Sequence, residues 1–242
     1  MKLLLLFVII FTAINAFPQN NLAIEANQEY TAGHFENAIS KYQDLLHFSG
    51  PSADIYYNLG LAYLKLDKVF EARLNFERAL LLNPSSGLVK RGIKQSTAHI
   101  EPKIESLPPF ILYKWFSSIR DLLPGNSWGW LFLFSALTLG LFGILNQLNT
   151  INTKSIFMYL LYGLFFLTGI FYFSRITFEA KPNCINSQNV NLRIAPDENS
   201  QILLPLGIGT KMEIIDSLQT WYKVTLENND DGWLSKNVLS RI

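Results

Sequence analysis

Three histidines, one cysteine and one acid-rich loop are the places where this 242-residue chain carries side chains suited to catalysis or metal binding. His34, His47 and His99 stand far apart and in no HExxH-like pattern, so they lack the spacing that turns two imidazoles toward one metal. The run ENNDDG, Glu227 to Gly232, opens like a calcium loop. The position that should supply its bidentate glutamate is Val238, so it fails as an EF-hand. Cys184 has no partner for an internal disulfide and no motif around it that would activate a thiol; as a surface thiol it would report topology. Phosphate-binding glycine loops and nucleophile elbows are absent from the sequence. The expectation is a non-enzyme with no catalytic residues, no metal and no cofactor. What remains is recognition: Trp221, Tyr222 and Trp233 form a candidate aromatic ligand surface, although tryptophans in a small β domain more often pack in its core.

Whatever positions these groups is arranged around a membrane. Between Asp121 and Arg175 the one charged residue is Lys154, which leaves two apolar blocks, Trp128 to Leu145 and Ile156 to Phe173, of about 18 residues each. At 1.5 Å rise per residue, helices of roughly that length match a hydrocarbon layer of ~30 Å and keep their own backbone groups paired inside it. Transmembrane helices are therefore expected over 127–146 and 155–174. The short polar connector from Asn146 to Lys154 makes them an antiparallel hairpin. A buried helical pair in a soluble core is the alternative, but neither block keeps the polar face such helices show. Neither block contains an Asp, Glu, Lys, Arg or His that would serve as a proton relay. Ala136 and Gly140, at small-xxx-small spacing, are candidates for the close approach of two helices.

Orientation follows from the N-terminus. Met1 and Lys2 precede the apolar run LLLLFVIIFTAI, and Ala16 precedes a polar stretch, so residues 1–16 read as a secretory signal. Both parts flanking the hairpin are then expected outside the cytoplasm. A net charge of +1, with acids and bases near balance on both sides of the hairpin, gives no basic footprint for nucleic acid.

A period of 34 residues appears after the signal: Ala38, Tyr42 and Leu45 return as Ala72, Phe76 and Ala79. Such a period with helical spacing inside each copy marks a helix-turn-helix solenoid. The second copy, 53–86, resembles the tetratricopeptide repeat family at Tyr56, Leu59, Gly60, Tyr63, Ala72, Phe76, Ala79 and Pro84. The first, 19–52, is more degenerate, with Glu25 at a usual leucine position and Leu45 at a small one. A capping helix from Ser85 to about His99 completes an array over 19–106. By that resemblance the inner helices line a groove that holds peptides or partner helices. The matching positions here are Asn27, Tyr30 and Thr31, then Asp54, Tyr57, Leu61, Leu64 and Lys65.

Residues 108–124 lie between proline stops and place Ile111, Leu112, Trp115, Phe116, Ile119, Leu122 and Leu123 on one helical face. Beside a membrane span, that is an amphipathic helix expected in the headgroup layer, the alternative being a third helix packed under the repeat domain. After Arg175 the pattern alternates: Val190, Leu192, Ile194 and Tyr222, Val224, Leu226 mark short strands separated by turn-rich pieces. The segment 178–242 resembles a bacterial SH3-like domain through Asn191-Leu192-Arg193, Gly209-Thr210-Lys211, Trp221 to Val224 and Gly232-Trp233. Ile194 and Ala195 replace that family's usual serine-glycine.

The expected whole is a multidomain membrane protein: an all-α tetratricopeptide-repeat array, a two-helix transmembrane hairpin and a small all-β SH3-like barrel. That order resembles the BatE-type family of the aerotolerance cluster in Bacteroidetes-like bacteria. The resemblance implies an inner-membrane scaffold in contact with membrane lipid, both soluble domains periplasmic. It also implies partners among von Willebrand factor A type membrane proteins and a MoxR-type ATPase. A module that binds peptidoglycan peptides is the competing expectation.

Overall fold

A computed structural model describes residues 21–102, 104, 108, 110–123, 126–148, 155–179 and 182–242. The expected signal and the centre of the expected connector, with Lys154, lie outside the described residues. Two compact units emerge. One gathers the N-terminal helices, the chain that follows them and the C-terminal sheet; the other gathers three helices from between them.

In the first unit α1 (21–31), α2 (Phe35–Ser49), α3 (Ala53–Lys65), α4 (Val69–Leu82) and α5 (Gly87–Thr97) follow one another in short-looped antiparallel succession. Ala26, Ala38, Ile39, Tyr42, Leu45, Leu59 and Ala62 form one buried cluster across α1 to α3. Ala72, Phe76, Ala79 and Val89 form the next across α4 and α5. Phe76 explains two glycines. Its ring is fully buried, and a Cβ added at Gly60 of α3 or Gly92 of α5 would lie 2.5 Å or 2.7 Å from it. Only hydrogen at both positions lets α3 and α5 close on either side of the ring, a burial worth about 1.5–3 kcal/mol. Ser86 starts α5 by accepting a hydrogen bond from the Val89 N–H.

Seven antiparallel strands make the sheet: β1 (Asn183–Asn186), β2 (Val190–Arg193), β3 (Ile202–Leu206), β4 (Lys211–Leu218), β5 (Trp221–Thr225), β6 (Asp231–Ser235) and β7 (Leu239–Arg241). Their order is β3-β2-β6-β5-β4-β1-β7. Cys184, Leu192, Leu206, Met212, Ile214, Val224 and Leu234, from six of the strands, meet in one buried cluster with Leu226. A flat sheet could not bring those side chains together, so the strands curl around them.

Sheet and helices are joined. Glu77 on α4 is 3% exposed and holds Arg73 at 2.8 Å on its own helix and Lys211 of β4 at 2.7 Å. Beside this, the loop from Gly207 to Thr210 presses on the chain after α5. A Cβ at Gly207 would run into the backbone carbonyl of Glu101. Ile104, from the same stretch, packs against the sheet's core. The helical array and the SH3-like sheet are thus one packed body.

The second unit contains α6 (Ile111–Arg120), α7 (Ser127–Gln147) and α8 (Ser155–Glu179). The last two are long and apolar enough to cross a membrane, judged by length and composition. Of their most apolar stretches only 11% and 17% is buried, so they are poorly matched to the role of core helices in a soluble protein. Phe132 stacks on Phe165 at 4.9 Å, and the hydroxyls of Ser135 and Thr168 meet at 3.1 Å. Gly169 is where the helices close: a Cβ there would come within 3.1 Å of Phe132. The expected contact through Gly140 is not what holds this pair, because a Cβ at Gly140 meets nothing within 4 Å.

The amphipathic face of α6 divides. Phe116 stacks on Phe171 of α8 at 5.1 Å, whereas Ile111, Leu112, Trp115, Ile119 and Leu122 stay exposed. At the end of α6 Arg120 pairs with Asp121, which also approaches Arg175 at 3.7 Å.

Candidate functional site

The inner helices α1 and α3 carry all eight expected groove residues, and the structure uses them in different ways. Asn27 accepts a 2.6 Å hydrogen bond from the buried Tyr42 hydroxyl, so its amide serves the fold. Tyr30 is half-buried and meets the edge of Phe35 at 5.5 Å. Burial first, and the neighbouring Tyr57 second, raise its hydroxyl above the ordinary tyrosine range. Thr31 is exposed and donates to the Gln28 carbonyl. On α3, Tyr57, Leu61 and Leu64 are half-buried against the cluster around Phe76, with the Tyr57 ring 5.9 Å from that of Phe76. Asp54 and Lys65 stand exposed near opposite ends of the same helix. Tyr30 and Tyr57 are thus neighbours on adjacent inner helices, and the exposed Thr31, Asp54 and Lys65 supply hydrogen-bonding and charged groups on those helices. The arrangement suits an extended peptide or a helix held by aromatic contact and a few polar bonds.

In the sheet the three aromatic residues separate. Tyr222 pairs in register with Leu234, whose side chain is in the core, and Lys223 pairs with Trp233. Because side chains alternate along a strand, Trp221 and Trp233 share the outward face and Tyr222 takes the inward one. All three are half-buried and none belongs to the buried cluster, which corrects the expectation that such tryptophans fill the core. Tyr222 packs at the edge of that cluster; its hydroxyl accepts from the Arg241 guanidinium at 2.8 Å, and Lys236 Nζ sits 4.7 Å from its ring centre. On the outward face Trp221 and Trp233 are joined by Lys223 and Asp231, themselves 3.7 Å apart, and by Arg193, which pairs in register with Trp233. Two aromatic rings among mixed charges can grip an apolar or carbohydrate-linked peptide, with the charges fixing its direction.

Cys184 is fully buried, and burial pushes its thiol up to about 12. It is neither a nucleophile nor a usable topology reporter. Among the described residues no group of three or more His, Cys, Asp or Glu side chains could hold a metal ion.

Sequence reasoning missed Arg73, Glu77 and Lys211. Arg73 and Glu77 do follow the core positions Ala72 and Phe76 by one residue, which marks them as flanking a packed face. Their partner lies 134 residues beyond Glu77, and no local pattern could point to it.

Two segments match known families. Residues 53–86 match the tetratricopeptide repeat, and residues 186–241 match the bacterial SH3 domain. Mouse sperm-associated antigen 1 is similar at 27% identity, over 35% of this chain and 12% of that protein, so the chain spans a small part of that relative's length. Solved structures of the C-terminal SH3 domain of myosin IB from Entamoeba histolytica, one of them with a bound peptide, cover 26% of this chain and 93% of theirs. Their identity is 19% and their TM-score 0.20.

Proposed function

We propose that the chain is a non-catalytic inner-membrane scaffold of the BatE type, anchored by α7 and α8, with its repeats and SH3-like domain in the periplasm. The 2.7 Å bond from Lys211 to Glu77 carries the reading. It joins segments that flank the two apolar helices in sequence, and they can pack together only if the intervening chain returns to the side it left. An even number of crossings meets that condition. Repeats and SH3-like domains are both interaction modules, so the packed body offers two recognition surfaces in a fixed relation. The α1/α3 groove, with Asn27, Tyr30, Thr31, Asp54, Tyr57, Leu61, Leu64 and Lys65, would dock a partner protein. The Trp221/Trp233 face would hold a second ligand. Von Willebrand factor A type membrane proteins and a MoxR-type ATPase are the partners this reading implies, in an aerotolerance or envelope-stress complex.

Affinity capture of the full-length protein from gently solubilised membranes, with bound proteins identified by mass spectrometry, tests this. Recovery of membrane proteins with von Willebrand factor A domains supports it. A chain recovered alone at native expression, even after in-cell crosslinking, would sink it.

A second reading is favoured by the outward tryptophan pair: the SH3-like face binds peptidoglycan peptides and the repeats are secondary. Cosedimentation of the detergent-solubilised protein with isolated sacculi, lost on Trp233→Ala, distinguishes this from the scaffold reading.

A further inference from the structure

One chain of polar contacts runs from the last repeat helix into the sheet. Arg73 of α4 donates to Thr97 and to the Ile93 carbonyl of α5, pairs with Glu77 on its own helix, and Glu77 accepts from Lys211 of β4. Apolar contacts run beside it. A Cβ added at Gly209 would lie 3.3 Å from Ile100 and 3.8 Å from Val69, and Ile104 packs on the sheet's core. Without these contacts the α4–α5 end of the array has little to hold it. Its buried apolar cluster is Ala72, Phe76, Ala79 and Val89, whereas the α1–α3 cluster has Ile39, Tyr42, Leu45 and Leu59 besides its alanines. α5 has 11 residues, below the roughly 12–15 at which an isolated helix becomes marginal, and Gly92 at its middle costs about 1 kcal/mol relative to alanine. Helical repeat arrays need about three units and a cap at each end, and this one has two repeats and a single following helix.

We propose that the docked sheet is the C-terminal cap of the repeat array and thereby sets whether the groove can bind. Tyr57, Leu61 and Leu64 of the groove's α3 wall lean on the cluster around Phe76, so that wall is firm only while the sheet holds α4 and α5 in place. This rests on the scaffold reading, with the groove as the docking site and two crossings of the membrane. The sheet follows both apolar helices in the chain, so the groove becomes competent only after the chain has returned and the sheet has folded and docked. The coupling is reciprocal: a partner that favours the firm groove favours docking of the sheet by the same factor. The joint is also incompletely filled. An open cavity of about 430 Å³, with Arg73, Ala98, Ile100 and Lys211 in its lining, leaves docking to the polar chain and to the contacts of Ile100 and Ile104, so a change at one residue can release it.

Hydrogen exchange of the full-length protein in lipid nanodiscs tests this, in a chain carrying a protease site inserted between residues 180 and 181. After cutting, the native sheet is expected to stay with the nanodisc on size exclusion. In Gly207→Leu the new side chain meets the Glu101 carbonyl, and in Lys211→Glu a second carboxylate faces Glu77. Both variants are expected to release the cut sheet. Amides of α4 and α5 then exchange at least tenfold faster, those of α1 and α2 change less, and those of α7 do not change. Release of the sheet with unchanged exchange in α4 and α5, loss of the cut sheet from the native chain, or its retention in both variants each overturns the proposal. Exchange is read without a partner, so a chain that captured none would sink the scaffold reading and leave the capping result standing.

Discussion

Glu77 of α4 accepts a 2.7 Å hydrogen bond from Lys211 at the start of β4, although 134 residues and both apolar helices lie between them in the chain. Glu77 is the centre of the junction because it is the nearly inaccessible carboxylate that two cations share. Glu77→Gln leaves Arg73 and Lys211 without their counter-charge and should cost about 3–5 kcal/mol. Lys211→Met keeps the Arg73 pair and should cost distinctly less. Calorimetry of the full-length protein should show one unfolding transition for helices and sheet in the native chain and two in Glu77→Gln. A single unshifted transition in that variant would mean the ion pairs do not couple the two halves.

Phe76 sets the spacing of α3 and α5. Gly60→Ala forces a methyl into its ring, an overpacking cost of about 1–3 kcal/mol, of which the better helix propensity of alanine offsets roughly 1. Phe76→Leu alone is destabilising, but the double variant Gly60→Ala/Phe76→Leu should be less unstable than the sum of the two. Denaturant titration of the three variants measures the coupling, and strict additivity would refute the close packing.

Cys184 should resist alkylation in the folded protein at pH 7 to 9 and react after denaturation, since its folded thiol titrates only near 12. Linkage gives the sign of its effect on stability. The neutral thiol is favoured in the fold, so its contribution is intact below the ordinary 9.0 and is lost as pH rises toward about 12, up to about 4 kcal/mol. Cys184→Val should flatten that alkaline loss relative to the native chain.

Membrane sidedness then needs an introduced thiol. Asn199 is exposed in the sheet's β2–β3 connection, and Asn199→Cys should be labelled by an impermeant maleimide in spheroplasts without lysis. Labelling only after lysis would place the sheet, and with it the docked repeats, in the cytoplasm.

On α6 the outward apolar side chains should sit in lipid. A nitroxide at Trp115→Cys in proteoliposomes should collide more with oxygen than with a water-soluble nickel complex, and one at the exposed Lys114→Cys should show the reverse. Equal accessibility at both positions would remove the interfacial assignment.

Much of this architecture was legible in the sequence because its causes are local. The 34-residue return of Ala38 and Tyr42 as Ala72 and Phe76 reports helix packing that recurs with the repeat. The alternation from Val190 to Ile194 reports the pleat of a strand. Long uncharged runs mark the two helices long and apolar enough to cross a membrane without reference to any other part of the chain. The groove residues could be placed on α1 and α3, but their uses could not. Asn27 is engaged by Tyr42, and Tyr57 by Phe76, through contacts that depend on how neighbouring helices cross.

By itself the sequence determined which segments become helix, strand or apolar span, since hydrogen-bond period and side-chain polarity act over a few residues. Only the tertiary structure decided that Trp221 and Trp233 share a face while Tyr222 turns away, that Cys184 is sealed in the core, and that Arg73, Glu77 and Lys211 meet around a cavity. Such outcomes depend on strand register and on the docking of distant surfaces. Their energies belong to pairs of residues brought together by the whole fold, and no window along the chain contains both members.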